Sequence, residues 1–130
     1  MKMAENPTDY RYLSSHEWHR KEADGTIAIG ITQHAADELT DITYVELPKV
    51  GSTVTKGQRW GIVESVKTAS DLYTGVSGTV AAVNEELAKS PQLVNSDSFT
   101  RGWMIKVKPS NPSEIDGLLK SDAYSQHLGK

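Results

Sequence analysis

The sequence predicts a mostly β domain, a small sandwich or partly closed barrel, on three observations. The chain has 130 residues, the size of one domain with one core. Its middle is cut into short apolar or alternating runs of strand length. Glycine and proline stand between those runs as turn signals. Many short strands punctuated in this way close on themselves rather than spread into an open sheet.

The elements follow in order. Glu17 to Lys21 and Thr26 to Ile31 flank Ala23-Asp24-Gly25, a tight-turn signal, and are expected to pair as a hairpin. Thr32 is placed to cap a short helix running to Leu39. Ile42 to Leu47 alternates and stops at Pro48. Val50-Gly51 and Lys56-Gly57 turn the chain before Arg59 to Val66. Ala69 to Tyr73 follows, and after Gly75 the turn Val76-Ser77-Gly78 leads into Thr79 to Val83. Asn84 caps a helix with Glu85 and Glu86 in its first turn and Lys89 at its end, the charge order a helix dipole favours. Trp103 to Val107 is the last strand and ends at Pro109. Asn111-Pro112 opens a third helix, proline losing no needed donor at its first position, with Ile115, Leu118 and Leu119 on one face. Ser121 caps a fourth, with Tyr124 and Leu128 four apart and Gly129 after it. A weak echo between Val54-Thr55-Lys56-Gly57-Gln58 and Val76-Ser77-Gly78-Thr79-Val80 points to two similar halves around a central hairpin.

Composition removes several function classes. The net charge is −3 with both signs mixed along the chain, so there is no basic stripe for nucleic acid and little attraction to anionic membranes. No apolar run is long enough to cross a bilayer. Met1 to Tyr10 carries no secretory or organelle signal, which leans to a bacterial cytoplasm, or to a mitochondrial matrix if the chain is a mature eukaryotic form. There is no cysteine, hence no disulfide, thiolate nucleophile or cysteine-ligated metal. Redox chemistry would have to arrive on a cofactor.

The centre of interest is Gly61-Ile62-Val63-Glu64-Ser65-Val66-Lys67-Thr68-Ala69-Ser70-Asp71-Leu72-Tyr73. It reads as a strand, a polar interruption and a second strand. Lys67 falls at the interruption, so its stem would hold an amine in solvent at a hairpin tip. Acylating that amine would make a tether that confines a reactive group near several partner sites. The plainer reading is a lysine that keeps a strand end soluble. His34 reads as a surface histidine in a helical turn with no second histidine at metal spacing. His16, His19 and His127 form no Cys/His cluster. Trp18 and Trp103 read as core, Ser77 as a turn residue.

Glu64-Ser65-Val66-Lys67-Thr68-Ala69-Ser70-Asp71 resembles the lipoylation segment of the glycine cleavage system H proteins, a lipoyl-carrier family. Ser15-His16-Glu17-Trp18, Ile29-Gly30-Ile31-Thr32 with His34-Ala35, and Tyr44-Val45-Glu46-Leu47-Pro48 with Val50-Gly51 resemble further segments in the same order. So do Ser77-Gly78, Asn84, Pro91-Gln92-Leu93-Val94-Asn95 and Gly102-Trp103-Met104-Ile105-Lys106. The likeness runs from about Tyr12 to Tyr124. It implies a barrel-sandwich hybrid with a lipoyl-lysine hairpin, short peripheral helices and a C-terminal helical segment. Residues 1–11 would be an extension and 12–130 one carrier domain, monomeric and without catalysis of its own.

The resemblance also implies lipoate in amide linkage to Lys67, with Glu64 and Gly51 recognised by lipoylating enzymes. Glu17, Ser15 and Asp71 would line a cleft that shelters the loaded arm. The implied partners are a pyridoxal-phosphate glycine decarboxylase, a tetrahydrofolate-dependent aminomethyltransferase and dihydrolipoyl dehydrogenase, between which the aminomethyl group of glycine is carried. For the sheltering residues, a solvated Glu17, a turn-capping Ser15 and an Asp71 bonded to backbone are equally good readings.

Four positions depart from the family pattern. Gly75 replaces a common proline and should loosen the turn after the hairpin. Thr40 replaces a usual glycine, so a positive φ there becomes costly. Thr68 replaces alanine, and His19 stands where an apolar residue is common. Three rival functions remain. A biotinyl carrier would carry methionine on both sides of the lysine, where Val66 and Thr68 stand, and a 2-oxoacid dehydrogenase lipoyl domain would carry aspartate before it. An H-like lipoyl relay to other enzymes keeps every motif. An enzyme with Glu17 and Asp71 as an acid/base pair lacks a nucleophile or metal constellation.

Overall fold

A computed structural model describes residues 6–128. In chain order the strands are β1 (Arg11–Tyr12), β2 (Glu17–Lys21), β3 (Ile27–Ile31), β4 (Ile42–Glu46), β5 (Thr53–Val54), β6 (Arg59–Ser65), β7 (Ala69–Tyr73), β8 (Gly78–Val83) and β9 (Ile105–Pro109). The helices are α1 (Gln33–Leu39), α2 (Glu86–Lys89), α3 (Leu93–Ser96) and α4 (Ser121–His127), with a 3-10 helix at Pro112–Gly117. The strands form a six-stranded sheet, β1-β2-β3-β9-β8-β5, and a three-stranded sheet, β4-β6-β7. Every pairing is antiparallel. This is the mostly β, barrel-sandwich arrangement expected. No helix among the described residues is long and apolar enough to cross a membrane.

β3 explains why its sequence is apolar throughout. Side chains alternate across a strand, and both faces of β3 are covered. Ile27 and Ile29 join Val54, Val80, Ile105 and Val107 in one core cluster. Ile31 joins Val45, Val63 and Leu72 of the smaller sheet in another. On the opposite face Ala28 packs with Tyr10, Tyr12, Trp18 and Tyr124. Gly30 lies under the Trp18 ring, where a Cβ would come within 2.6 Å of it. Trp18 is fully buried, its indole N–H donating to the Ser98 carbonyl at 2.8 Å. Trp103, read as core, is only half-buried and lies beneath the Lys106 ammonium.

Several element boundaries move, each for a tertiary reason. Thr32 caps α1 as expected, its hydroxyl accepting from Ala35 N at 3.3 Å. Asn84 caps less than it braces. Its amide donates to the Arg101 and Trp103 carbonyls, each at 2.8 Å, while its oxygen accepts from Glu86 N at 3.2 Å, and the helix begins only at Glu86. The segment after Asn111 is a 3-10 helix, and Leu118 lies past its end. Lys120, not Ser121, is the N-cap of α4, and it has no side-chain capping bond. The last strand runs to Pro109, a position opposite Gly78. β1, β5 and α3 were too short to leave a periodic signal. The Gly129 stop signal and the reading of residues 1–5 lie outside the described residues.

Candidate functional site

β6 and β7 pair from Glu64↔Ala69 to Arg59↔Tyr73, and the chain reverses over the residues between Ser65 and Ala69. Ser65 makes that reversal tight. Its N–H donates to the Thr68 carbonyl at 2.8 Å, and its Oγ accepts from Lys67 N at 3.3 Å and Thr68 N at 3.2 Å. Val66 N donates to the Asp41 carbonyl at 3.0 Å, tying the bend to the chain just before β4. Lys67 is exposed on this bend. The backbone of the bend is thus tied by hydrogen bonds while the Lys67 side chain stands exposed.

Beside the hairpin lies a cavity of about 130 Å³, bounded by Ser15, His16, Glu17, Glu38, Ser70 and Asp71 among others. Fold topology brings Ser15, Glu17 and Asp71 together there, the three residues expected to share a cleft. Glu17 is buried (1% exposed). Ser15 Oγ donates to one carboxylate oxygen at 2.5 Å and Tyr73 N to the other at 2.8 Å. Burial pushes the Glu17 carboxyl up to about 7, and these two hydrogen bonds hold it from rising further. Asp71 is exposed and bonded to side chains rather than backbone. The Arg59 guanidinium and the Tyr73 hydroxyl each approach its carboxylate at 3.5 Å.

Glu64 is exposed on β6, opposite Ala69 at the end of the hairpin. Gly51 is not among the residues around the cavity. It occupies the turn before β5 at φ 93, and its N–H donates to the Val80 carbonyl of β8 at 2.8 Å. Its positive φ accounts for glycine at that turn. Ser77 is a turn residue, its Oγ accepting from Lys56 N at 2.8 Å.

The histidines are where tertiary structure adds most. His16 lies in the loop before β2 at φ 84, and its ring centroid is 5.0 Å from that of His34 on α1 and 6.2 Å from that of His127 on α4. His34, read as a surface histidine with no second histidine at metal spacing along the chain, thus has His16 beside it in space, because the β1–β2 loop and α1 converge. Burial is the first cause lowering the His16 pKa, and the neighbouring His34 adds to it. Tyr124 Oη, with its pKa pushed up to about 12 chiefly by burial, lies 2.7 Å from His16 Nδ1 and 2.8 Å from Thr32 Oγ1.

His19 is fully buried, and burial pushes its pKa down to about 4. Its Nε2 accepts from Gly75 N at 3.0 Å, so Nδ1 carries the proton, without an acceptor among the described residues. Two departures from the family pattern thus meet in one hydrogen bond, since proline at 75 has no N–H to give. The turn expected to be loose is instead pinned by His19, by Thr74 Oγ1 bonded to both ends of Val76, and by Leu118, whose side chain would lie 2.7 Å from a Cβ at Gly75.

The family model described as "Glycine cleavage H-protein" matches residues 10–130. A glycine cleavage system H protein of Shewanella frigidimarina is 54% identical over 124 residues, covering 95% of this chain and 96% of that protein. Its counterpart from Chromobacterium violaceum is 49% identical over 127 residues, covering 98% and 99%. A crystal structure of a glycine cleavage system H protein from Mycobacterium marinum superimposes with a TM-score of 0.87 at 35% identity, covering 96% of this chain and all of that one. With both sheets, the lysine hairpin and the neighbouring cleft in place, the chain belongs to the glycine cleavage H-protein family.

Proposed function

We propose that this chain is a non-catalytic carrier whose Lys67 bears lipoate in amide linkage. On this reading it carries the aminomethyl group of glycine from a pyridoxal-phosphate decarboxylase to a tetrahydrofolate-dependent aminomethyltransferase. Dihydrolipoyl dehydrogenase then reoxidises the arm. The observation that carries the reading is an exposed lysine on a tight, hydrogen-bonded reversal, a few residues along the strand from a cleft lined by a buried carboxylate. Bound lipoate would supply a redox-active disulfide able to accept and release the one-carbon amine; that chemistry belongs to the cofactor.

This chain's residues supply attachment, reach and shelter. Ser65 fixes the backbone of Lys67, so the arm pivots about side-chain bonds only. Ser70 and Asp71, three and four residues on, line the cleft, so a lengthened Lys67 side chain folds back along its own strand to reach it. Among the described residues, Glu17 in the cleft has two hydrogen-bond donors but no cation. A protonated amine seated there would pair with it and favour its charged form. The partly closed surroundings would keep water from the loaded arm. Glu64, exposed at the hairpin end, is the acidic feature a lipoylating enzyme would read, with Gly51 shaping a second surface. The bacterial source of the relatives supports a cytoplasmic setting.

Intact mass after co-expression with a lipoylating enzyme and lipoate tests this reading. One lipoyl addition is expected, lost in Lys67→Arg. Absence of the addition, or its persistence in the variant, rejects Lys67 as the attachment point. The lipoylated chain should then support exchange of bicarbonate into glycine by the decarboxylase. Full lipoylation without exchange would move the function to lipoyl relay.

A further inference from the structure

We propose that His16, His34 and Glu38 form a binding site for a zinc-class divalent cation at the rim of the cleft. Their ligand atoms lie within 4.8 Å of one another, the one such His/Cys/Asp/Glu set among the described residues. His34 and Glu38 stand one turn apart on α1 and face the same way, with His34 Nε2 3.1 Å from Glu38 Oε1. Ligands sharing a tetrahedral zinc, with bonds of about 2.0–2.2 Å, lie about 3.3 Å apart. The helical pair is already at that spacing. His16 must close by no more than about 1.5 Å to meet it, a change that side-chain rotation supplies because Glu38 is exposed and both rings are only half-buried.

Two features of His16 are those of a ligand rather than a bystander. Its backbone is held at φ 84, a conformation that costs a non-glycine residue energy and persists only where the surroundings fix it. Its ring is also oriented by a second layer of contacts. Thr32 Oγ1 already accepts from Ala35 N. In one of the two directions open to this chain, His16 Nδ1–H donates to Tyr124 Oη and Tyr124 Oη–H donates to Thr32 Oγ1. Nε2 is then left as the unprotonated nitrogen. Metal-binding histidines are commonly held by such a bond at the other ring nitrogen.

Two imidazoles and one carboxylate make a donor set suited to zinc, with a fourth position open to water or an outside ligand. Coordination through His34 Nε2 needs that nitrogen unprotonated, so any proton on it is displaced as the cation enters. His16 and Glu38 also border the cleft, so the cation would sit at its mouth. None of these residues is part of the lysine hairpin.

The test uses the full chain without lipoate, so its outcome is independent of Lys67. Zn2+ titration by calorimetry is expected to show one ion per chain with a micromolar dissociation constant. Co2+ should give the visible bands of a four- or five-coordinate ion. His34→Gln, at a half-buried position, and Glu38→Gln, at an exposed one, should each weaken binding by about tenfold or more. His127 is the control for adventitious histidine binding. Its Nε2 lies 3.2 Å from the Ser14 carbonyl and it is outside the set, so His127→Ala should leave affinity within about twofold. Far-UV circular dichroism verifies that each variant is folded. No saturable binding below about 100 µM, undiminished binding in Glu38→Gln or His34→Gln, or an equal loss in His127→Ala would overturn the site.

Discussion

Glu17 and His19 lie two residues apart on β2, both buried, and their pKa values move in opposite directions for the same reason: burial disfavours the charged form of each. The folded Glu17 carboxyl, at about 7 against an ordinary 4.5, holds its proton where the unfolded chain has lost it. Stability therefore falls as pH rises across that interval. The folded His19, at about 4 against 6.5, lacks a proton that the unfolded chain binds. Stability therefore falls as pH drops across its interval. The two slopes oppose each other between pH 4.5 and 6.5, each worth on the order of 3 kcal/mol over its full range. Glu17→Gln removes one slope. Its urea midpoint should then climb from pH 5 to 6.5 and level off, whereas the parent's stays nearly flat. A variant profile as flat as the parent's would contradict this assignment.

The end of α1 shows how one side chain sets an element's place. Asn95 of α3 donates to the Thr40 carbonyl at 2.7 Å and to the Ala36 carbonyl at 3.4 Å, and accepts from Ile42 N at 2.9 Å. It thus satisfies last-turn carbonyls that a helix leaves unpaired and starts β4 from the same point. The chain between must turn sharply, and Thr40 does so at φ 63, ψ −146, a region almost reserved for glycine. The positive φ that the sequence made costly is adopted all the same, because Asn95 fixes both sides of it. Thr40→Gly should raise stability by about 1 kcal/mol, the relief of strain exceeding glycine's added chain entropy. Thermal unfolding should show a melting temperature higher by a few degrees; a lower one would mean that the threonine is unstrained.

Across the molecule, Tyr124 closes the fold by joining its end to its beginning. Its ring stacks on Tyr12 of β1 with centroids 4.8 Å apart, and its hydroxyl joins the loop before β2 to the start of α1. β1 is bridged to the same region through Tyr12 and Leu119, whose backbones exchange hydrogen bonds of 2.8 and 2.9 Å. Tyr124→Phe keeps the packing and leaves Thr32 Oγ1 and His16 Nδ1 without their partner, at a cost of about 1–3 kcal/mol. Chemical denaturation should show the loss with the m-value unchanged. A loss below about 0.5 kcal/mol would mean that water replaces the hydroxyl.

Much of this was legible in local pattern. The β2–β3 hairpin, β4, and the β6–β7 hairpin with Lys67 at its bend follow from alternation and turn residues, because those signals act over a few neighbours. Thr32 was legible as a cap for the same reason. The depth of Glu17 was not. Its carboxylate is enclosed and bonded by Tyr73, 56 residues away, and only packing of the two sheets removes water from it. His34 and Glu38 share the spacing of one helical turn, but nothing in the chain ties His16 to them, and it joins them because α1 folds back over the loop before β2. Residue type and turn chemistry are properties of a short segment, whereas burial, desolvation and the meeting of distant side chains depend on which segments pack together.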